Sequence, residues 1–234
     1  MNEQPLPKLP LDTIIQGDAL EVMRRFPDKI FDVAITDPPY GEGIARMGFI
    51  NPGGMKTGVA KNRDYRSNCP DWDNERPPRT VVENLLRVSK NQVIFGGNFL
   101  ADVLPPSRCW IVWDKRGDDK YTNDYADCEL MWTSFDRPSR IIRYLWNGMI
   151  QENMRRKEVR CHPTQKPLKV MERLLEMFTS EGDVVLDPFF GSGTTGIAAR
   201  RLRRHFVGVE LNPVYCKLAA DRLRPYLEQQ VLAV

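Results

Sequence analysis

The sequence predicts an α/β protein built on a parallel sheet, and three stretches carry that prediction. A strand, a helix and a second apolar strand follow one another between Thr13 and Thr36. A helix and a strand follow between Arg79 and Phe95, and the same alternation returns from Pro167 to Val209. Alternation of this kind builds βαβ units, whose strands run parallel beneath crossover helices.

Each element has its own local signal. Thr13 to Gln16 is a short strand, and Asp18 stands where a helix N-cap belongs, ahead of a helix reaching about Phe26. Phe31 to Thr36 is an apolar strand that ends at Asp37. Val82, Leu85 and Leu86 share one face of a helix over Arg79 to Val88, and strands follow at Gln92 to Phe95 and Cys109 to Trp113. Glu129 to Thr133 and Ile141 to Trp146 are β-rich runs close enough in sequence to form an antiparallel pair. Pro167 suits the N1 position of the next helix, whose stripe is Val170, Met171, Leu174, Leu175 and Phe178 and whose terminator is Gly182. Strand Val184 to Leu186, a helix from about Thr194 to Arg204, strand Phe206 to Val209 and a helix from about Pro213 to Leu227 complete the chain. No internal repeat is visible, and residues 1–234 read as one domain.

At 234 residues the chain can bury roughly 70% of the surface its unfolded form exposes. Hydrophobic residues at 41% and charged residues at 28% exclude wholesale disorder and the collagenous and membrane classes. A formal charge of +3 names no partner by itself. The five cysteines (69, 109, 128, 161 and 216) are odd in number and widely spaced, so they read as free thiols of a reducing compartment rather than a disulfide framework. With two histidines in the chain, no metal site is expected. Met1 to Leu11 has three prolines and no apolar run, which is no signal peptide, and no stretch is long enough to span a membrane. These readings place the protein in a cytoplasm.

Two segments break the alternation. Six glycines fall between Gly41 and Gly58, and residues from about 41 to 75 read as a long mobile loop of the kind that carries function. Between Arg137 and Arg160 lie seven basic residues (Arg137, Arg140, Arg143, Arg155, Arg156, Lys157 and Arg160) against Glu152 and Glu158. The charge diluted in the total is concentrated there.

Asp37-Pro38-Pro39-Tyr40 ends a predicted buried strand, the edge where open α/β sheets bind ligands. The prolines stiffen the backbone and leave the carbonyl near Pro38 free to accept. With the Asp37 carboxylate this makes two acceptors on a rigid loop, suited to an exocyclic ring amine with two N–H donors. Such an amine is a poor nucleophile because its lone pair is delocalised into the ring, and holding both hydrogens out of plane localises the pair on nitrogen. Tyr40 offers a flat face for the ring. An ordinary proline turn would use the same string.

Asp187-Pro188-Phe189-Phe190-Gly191-Ser192-Gly193-Thr194-Thr195-Gly196 also runs from strand to helix. Its glycines satisfy G-x-G-x-x-G, and Glu210 ends the next strand 23 residues after Asp187, near the spacing of a ribose-binding carboxylate. That much indicates a nucleotide-like cofactor, or a glycine turn made for packing. Asp187 ahead of the glycines suits a cationic cofactor part, such as a sulfonium with an α-amino group, better than a pyrophosphate.

The order Asp-Pro-Pro-Tyr, then His162-Pro163-Thr164-Gln165-Lys166-Pro167, then Asp-Pro-Phe-Phe-Gly-Ser-Gly-Thr-Thr closely resembles the S-adenosylmethionine-dependent DNA amino-methyltransferases of the beta arrangement. The resemblance covers nearly the whole chain. It implies a permuted class I methyltransferase, Rossmann-like fold, with a seven-stranded, mainly parallel sheet and helices on both faces. It implies S-adenosylmethionine as cofactor and transfer to the 6-amino group of adenine in DNA, with the 4-amino group of cytosine as the alternative. By the same resemblance Asp37, Pro38, Pro39 and Tyr40 are catalytic. Asp18 meets the cofactor adenine, Glu210 the ribose hydroxyls, and Asp187, Phe189, Gly191, Gly193, Thr194 and Thr195 the remainder. Lys166, and with it His162, contacts the cofactor carboxylate or orders its loop. The seven basic residues are candidates for gripping DNA phosphates, in a short target-recognition region of about 114–160, as a monomer or a homodimer. Activity of this kind belongs to restriction-modification, in a bacterium or a mobile element.

Other readings compete. A nicotinamide-dependent oxidoreductase would use the glycine loop and Glu210 but leaves Asp-Pro-Pro-Tyr without a task, and a silent DNA-binding module leaves both motifs without one. Arg200, Arg201, Arg203 and Arg204 suit a helix C-terminus better than a nucleic-acid patch. Trp110 and Trp113 fall on opposite faces of their strand, Phe95 to Phe99 either flanks the pocket or packs, and His205 shows no partner.

Overall fold

The computed structural model describes residues 9–41, 75–116, 126–147, 150–162 and 164–228. Phe31–Thr36 forms β2 at the middle of the sheet because both of its faces are covered, which is why it reads as a continuous apolar run rather than an alternation. In chain order the elements are β1 (Thr13–Gln16), α1 (Ala19–Met23), β2, α2 (Arg79–Val88), β3 (Ser89–Phe95), β4 (Trp110–Asp114), β5 (Cys128–Thr133) and β6 (Arg140–Arg143). Then come β7 (Trp146–Asn147), β8 (Ile150–Gln151), α3 (Leu168–Phe178), β9 (Val184–Asp187), α4 (Thr194–Arg201), β10 (His205–Glu210) and α5 (Pro213–Glu228).

Among the described residues eight strands join one sheet in the order β1-β10-β9-β2-β3-β5-β4-β6. Seven run in one direction and β5 runs against them. The expected seven strands are exceeded by β6, which adds to β4 at the edge. The expected antiparallel pairing of Glu129–Thr133 with Ile141–Trp146 does not form, because β4 lies between them, antiparallel to β5 and parallel to β6. The run to Trp146 also breaks at Tyr144, and Trp146 pairs instead with Gln151 in a separate hairpin. Of the predicted recognition stretch, β5 and β6 thus belong to the main sheet.

Alternate side chains send β2, β3 and β10 into two cores. Val33, Ile35, Val93, Phe95 and Phe206 face α3, α4 and α5, where Leu174, Ile197 and Leu223 close the layer. Ala34, Ile94 and Val207 face α1 and α2, against Met23, Val82 and Leu85. Truncating a side chain such as Leu174, fully buried, to Ala costs about 2–5 kcal/mol by lost transfer energy and the cavity left behind.

Helix ends depart from expectation by a turn or less. Asp18 caps α1, accepting from the Glu21 N–H at 3.0 Å. Pro167 occupies the cap of α3 rather than its first helical position. α4 stops at Arg201, because Arg203 adopts φ +59° and the Arg204 N–H turns back to the Ala199 carbonyl. The glycine-rich loop of about 41–75 lies almost wholly outside the described residues. No helix among them is long and apolar enough to cross a membrane.

Candidate active site

The parallel strands β2, β9 and β10 deliver Asp37, Asp187 and Glu210 to one edge of the sheet, where backbone ends and helix N-termini leave room for a ligand. A cavity of about 630 Å³ opens there, a volume typical of small-molecule sites. Asp18, Asp37, Pro39, Lys166, Asp187, Phe189, Gly191, Thr194, Thr195 and Glu210 all line it, as does His162. Of the catalytic and cofactor positions implied by the resemblance, Pro38, Tyr40 and Gly193 do not line it.

Local geometry explains the glycine loop. Gly191 and Gly193 have φ of +50° and +78°, a region that favours glycine. The Gly191 N–H donates to Glu210 Oε2 at 2.8 Å, and the Asn212 N–H to Oε1 at 2.8 Å, so the loop is fastened to the end of β10. Gly193 caps α4 against Ala219, while Gly196 and Gly208 make room for the Phe190 ring, 2.7 and 2.5 Å from where a Cβ would stand. The third glycine of the motif therefore serves packing.

Asp187 is buried and accepts from Thr36 Oγ1 (2.8 Å), Thr195 Oγ1 (2.6 Å) and the Phe189 N–H (3.1 Å). No cation faces it among the described residues, and burial pushes its carboxyl up to about 6 against those donors. Burial likewise holds Glu210 above the ordinary carboxylate value. His162 is pushed down to about 4 by burial, with the positive charges of Lys166 and Arg222 adding, so its imidazole is neutral at pH 7. Its ring stands edge-on to Tyr215.

Asp37 is built differently. The Tyr40 hydroxyl donates to its Oδ1, and the Lys166 ammonium to Oδ2 at 2.5 Å. Glu129, at the start of β5, lies 3.3 Å from the same ammonium, and Lys115 lies 3.4 Å from Glu129. Burial, opposed by Lys166 and reinforced by Glu129, keeps Asp37 above the usual carboxylate range. At Glu129 the two ammoniums outweigh burial and its pKa falls, while at Lys166 the two carboxylates outweigh burial and its pKa rises. Lys166 is thus engaged by protein carboxylates on the Asp37 side of the cavity.

Tyr40 is fixed from below. Its ring stacks on Phe99 with centroids 4.9 Å apart, and a Cβ at Gly96, itself at φ +63°, would fall 2.1 Å from it. The Phe95 to Phe99 turn therefore supports the Asp37–Tyr40 loop. Sequence reasoning missed Glu129 and Lys115, neither of which belongs to a motif. The one signal was a paired acid and base at the facing ends of two β-rich runs.

The seven basic residues do not gather. Arg137 donates to the Met177 carbonyl at the end of α3 and lies over Phe135. Arg140 starts β6 opposite Ile111, whereas Arg143 ends it opposite Asp114, about 10 Å further toward the cavity edge. Arg155, Arg156 and Lys157 are exposed on a turn held by Asn153, and Arg160 lies 4.3 Å over Trp146. Elsewhere Arg200 and His205 share Asp12, at 2.9 Å each, and Arg204 is buried against the Thr179 carbonyl. Those arginines brace helix ends.

Residues 110–221 match the family model for N6/N4 DNA methylases. Over 243 residues the chain is 38% identical to the type II methyltransferase M2.DpnII of Streptococcus pneumoniae, spanning 90% of this chain and 88% of that protein. It is 27% identical over 242 residues to the type II methyltransferase M2.LlaDCHI of Lactococcus lactis subsp. cremoris, again 90% and 88%. Among solved structures, the DNA modification methylase TTHA0409 of Thermus thermophilus in complex with S-adenosyl-L-methionine superposes with a TM-score of 0.54 at 22% identity, covering 91% of this chain and 95% of that one. The cytosine-N4-specific PvuII DNA methyltransferase gives 0.57 at 17% identity, covering 90% and 85%. Likenesses this distant speak for the fold.

Proposed function

The chain belongs to the N6/N4 DNA methylase family, and on that premise we propose that it carries the methyl group of S-adenosylmethionine to the 6-amino group of adenine in DNA. The observation that carries this reading is that Asp37 opens into the same cavity as Asp18, Glu210 and the glycine loop.

The residues present fit the cofactor. Glu210 keeps lone pairs beyond those given to Gly191 and Asn212, enough for a ribose diol. Leu211 and Val214, 68% and 50% exposed on the cavity wall, supply apolar surface that a flat adenine would cover, and Asp18 an acceptor for its ring amine. When bound, S-adenosylmethionine supplies a sulfonium methyl, the electrophile of the reaction. Phe189, Thr194 and Thr195 line the remaining wall beside Asp187.

The acceptor amine is paired inside a duplex, so the base must swing out of the stack to reach Asp37. The two N–H groups then donate to the Asp37 carboxylate and the Pro38 carbonyl, which turns the nitrogen lone pair out of the ring. With that pair freed the nitrogen would accept the methyl group, and the Asp37 carboxylate or solvent would take the proton the amine gives up. No enzyme nucleophile is needed, so none of the cysteines takes part. Holding the reacting groups in line is the main contribution, about 7–11 kcal/mol in favourable cases. Arg143, Arg155, Arg156 and Lys157 grip phosphates in this reading, from a reducing bacterial cytoplasm.

Incubation of DNA with methyl-labelled cofactor followed by nucleoside mass spectrometry tests the assignment, with label expected on adenine. The 4-amino group of cytosine offers the same two donors, and label on cytosine alone reassigns the target. Thermal stabilisation by NAD and none by S-adenosylhomocysteine would overturn the reading altogether.

A further inference from the structure

Both oxygens of Asp37 are taken by protein donors, Tyr40 on Oδ1 and Lys166 on Oδ2. A base amine must therefore share an oxygen with one of these donors or take its place. The ammonium has somewhere to go. Glu129 Oε2 is 3.3 Å from Lys166 Nζ, buried, and without a well-formed hydrogen bond among the described residues. A shift of about half an ångström would bring the pair to the usual charge-assisted distance. Lys115 faces the other oxygen of Glu129, so two carboxylates and two ammoniums share the cluster and Lys166 keeps a carboxylate partner at either acid. The rings of Phe95 and Tyr40, 5.1 and 6.0 Å from Nζ, wall the ammonium in.

We propose that Lys166 is a two-position latch on Asp37, and that Glu129 is the positioning residue that draws it off when the target amine arrives. At rest the latch covers Oδ2 of Asp37. On docking, an amine N–H replaces the ammonium at Oδ2 while Lys166 moves to Glu129. The proton stays on Lys166 throughout, and no covalent bond changes. This inference rests on the proposed amine methylation and deepens it.

Glu129→Gln keeps the shape and removes the charge that draws Lys166 away. With full-length protein and DNA containing the site mapped for the wild type, kcat should fall about tenfold or more, equivalent to about 1.4 kcal/mol. KM for DNA and the calorimetric affinity for S-adenosylmethionine should stay within about twofold. Glu129→Asp should recover part of the loss, and adding Lys166→Met to Glu129→Gln should raise kcat above that of Glu129→Gln alone, because the latch is gone. Wild-type turnover in Glu129→Gln overturns the inference, as does parallel loss of turnover and cofactor affinity, or a double variant no faster than the single. A wild-type chain that methylates no DNA amine overturns the reading and the inference together, whereas an active wild type matched by Glu129→Gln overturns the inference alone.

Discussion

Asp37 just past the end of β2 and Asp187 at the end of β9 lie near each other on paired strands, each followed by proline, yet the donors around them differ in kind. Asp187 is held by two hydroxyls and a backbone N–H, which tie β9 to β2 and to the start of α4. Asp37 is held by one hydroxyl and a lysine that has a second acid within reach. Burial raises both carboxyls. Neutral, short donors make an acid into a brace whose geometry is fixed by three elements at once. A cation on a flexible stem leaves the acid able to change partners, which is what chemistry on an incoming group requires.

Asp37→Ala should break the comparison most severely. Turnover is expected to fall about 10²–10³-fold, the scale for removing one positioned group from a reacting centre. Single-turnover transfer of labelled methyl to DNA measures it, and full activity would remove Asp37 from the mechanism.

Asp187→Asn should act on stability. Because the folded pKa of about 6 lies above the ordinary 3.8, Asp187 favours the fold most below pH 3.8, and that contribution is lost as pH rises through 6. Between pH 4 and 7 the wild type should therefore lose on the order of 2 kcal/mol relative to the Asn variant. Urea denaturation of the two proteins across that range reads the difference directly. Parallel curves would mean that burial does not raise Asp187 in the folded protein.

The smallest effect sharpens the comparison from the DNA side. Replacing Arg155 and Arg156 by Ala should lower the slope of log affinity against log salt by about 2, at about 0.9 per phosphate contact. Arg137→Ala with Arg140→Ala should leave the slope unchanged, since the first serves the α3 terminus and the second starts β6 at the far end of the sheet. An unaltered slope in the first pair removes that turn from the interface.

How far the sequence reaches can be seen at particular residues. β1, β2 and α2 have the bounds their patterns predict, because apolar runs and capping signals are local. Strand partnership is not local: β4 separates two runs that short-range spacing would pair, and nothing within either run encodes the intruder. That the glycine loop and Glu210 would meet at one cavity was legible because their spacing along the chain is a local signal. Glu129 was not, because its meaning comes from register. The antiparallel match of Trp113 with Glu129 brings the beginning of β5 to the edge where every other strand of the sheet arrives at its end. The support under Tyr40 was half legible, since paired glycines announce a close approach without naming the ring that approaches.

The pairing of β1 with β10 has a consequence for the order in which the protein comes into being. Thr13 pairs with Val207 and Gln16 with Glu210, so the first strand made waits for the last. At about 5–20 residues per second of synthesis, the wait is on the order of ten seconds or more. During it β9 and β10 are missing from between β1 and β2, and the Gly17 N–H lacks the Glu210 carbonyl it later meets at 3.0 Å. A chain still on the ribosome can carry Asp37 and Lys166 and yet have no wall for the methyl donor. The cavity therefore lacks that wall until the chain has been made through Glu210.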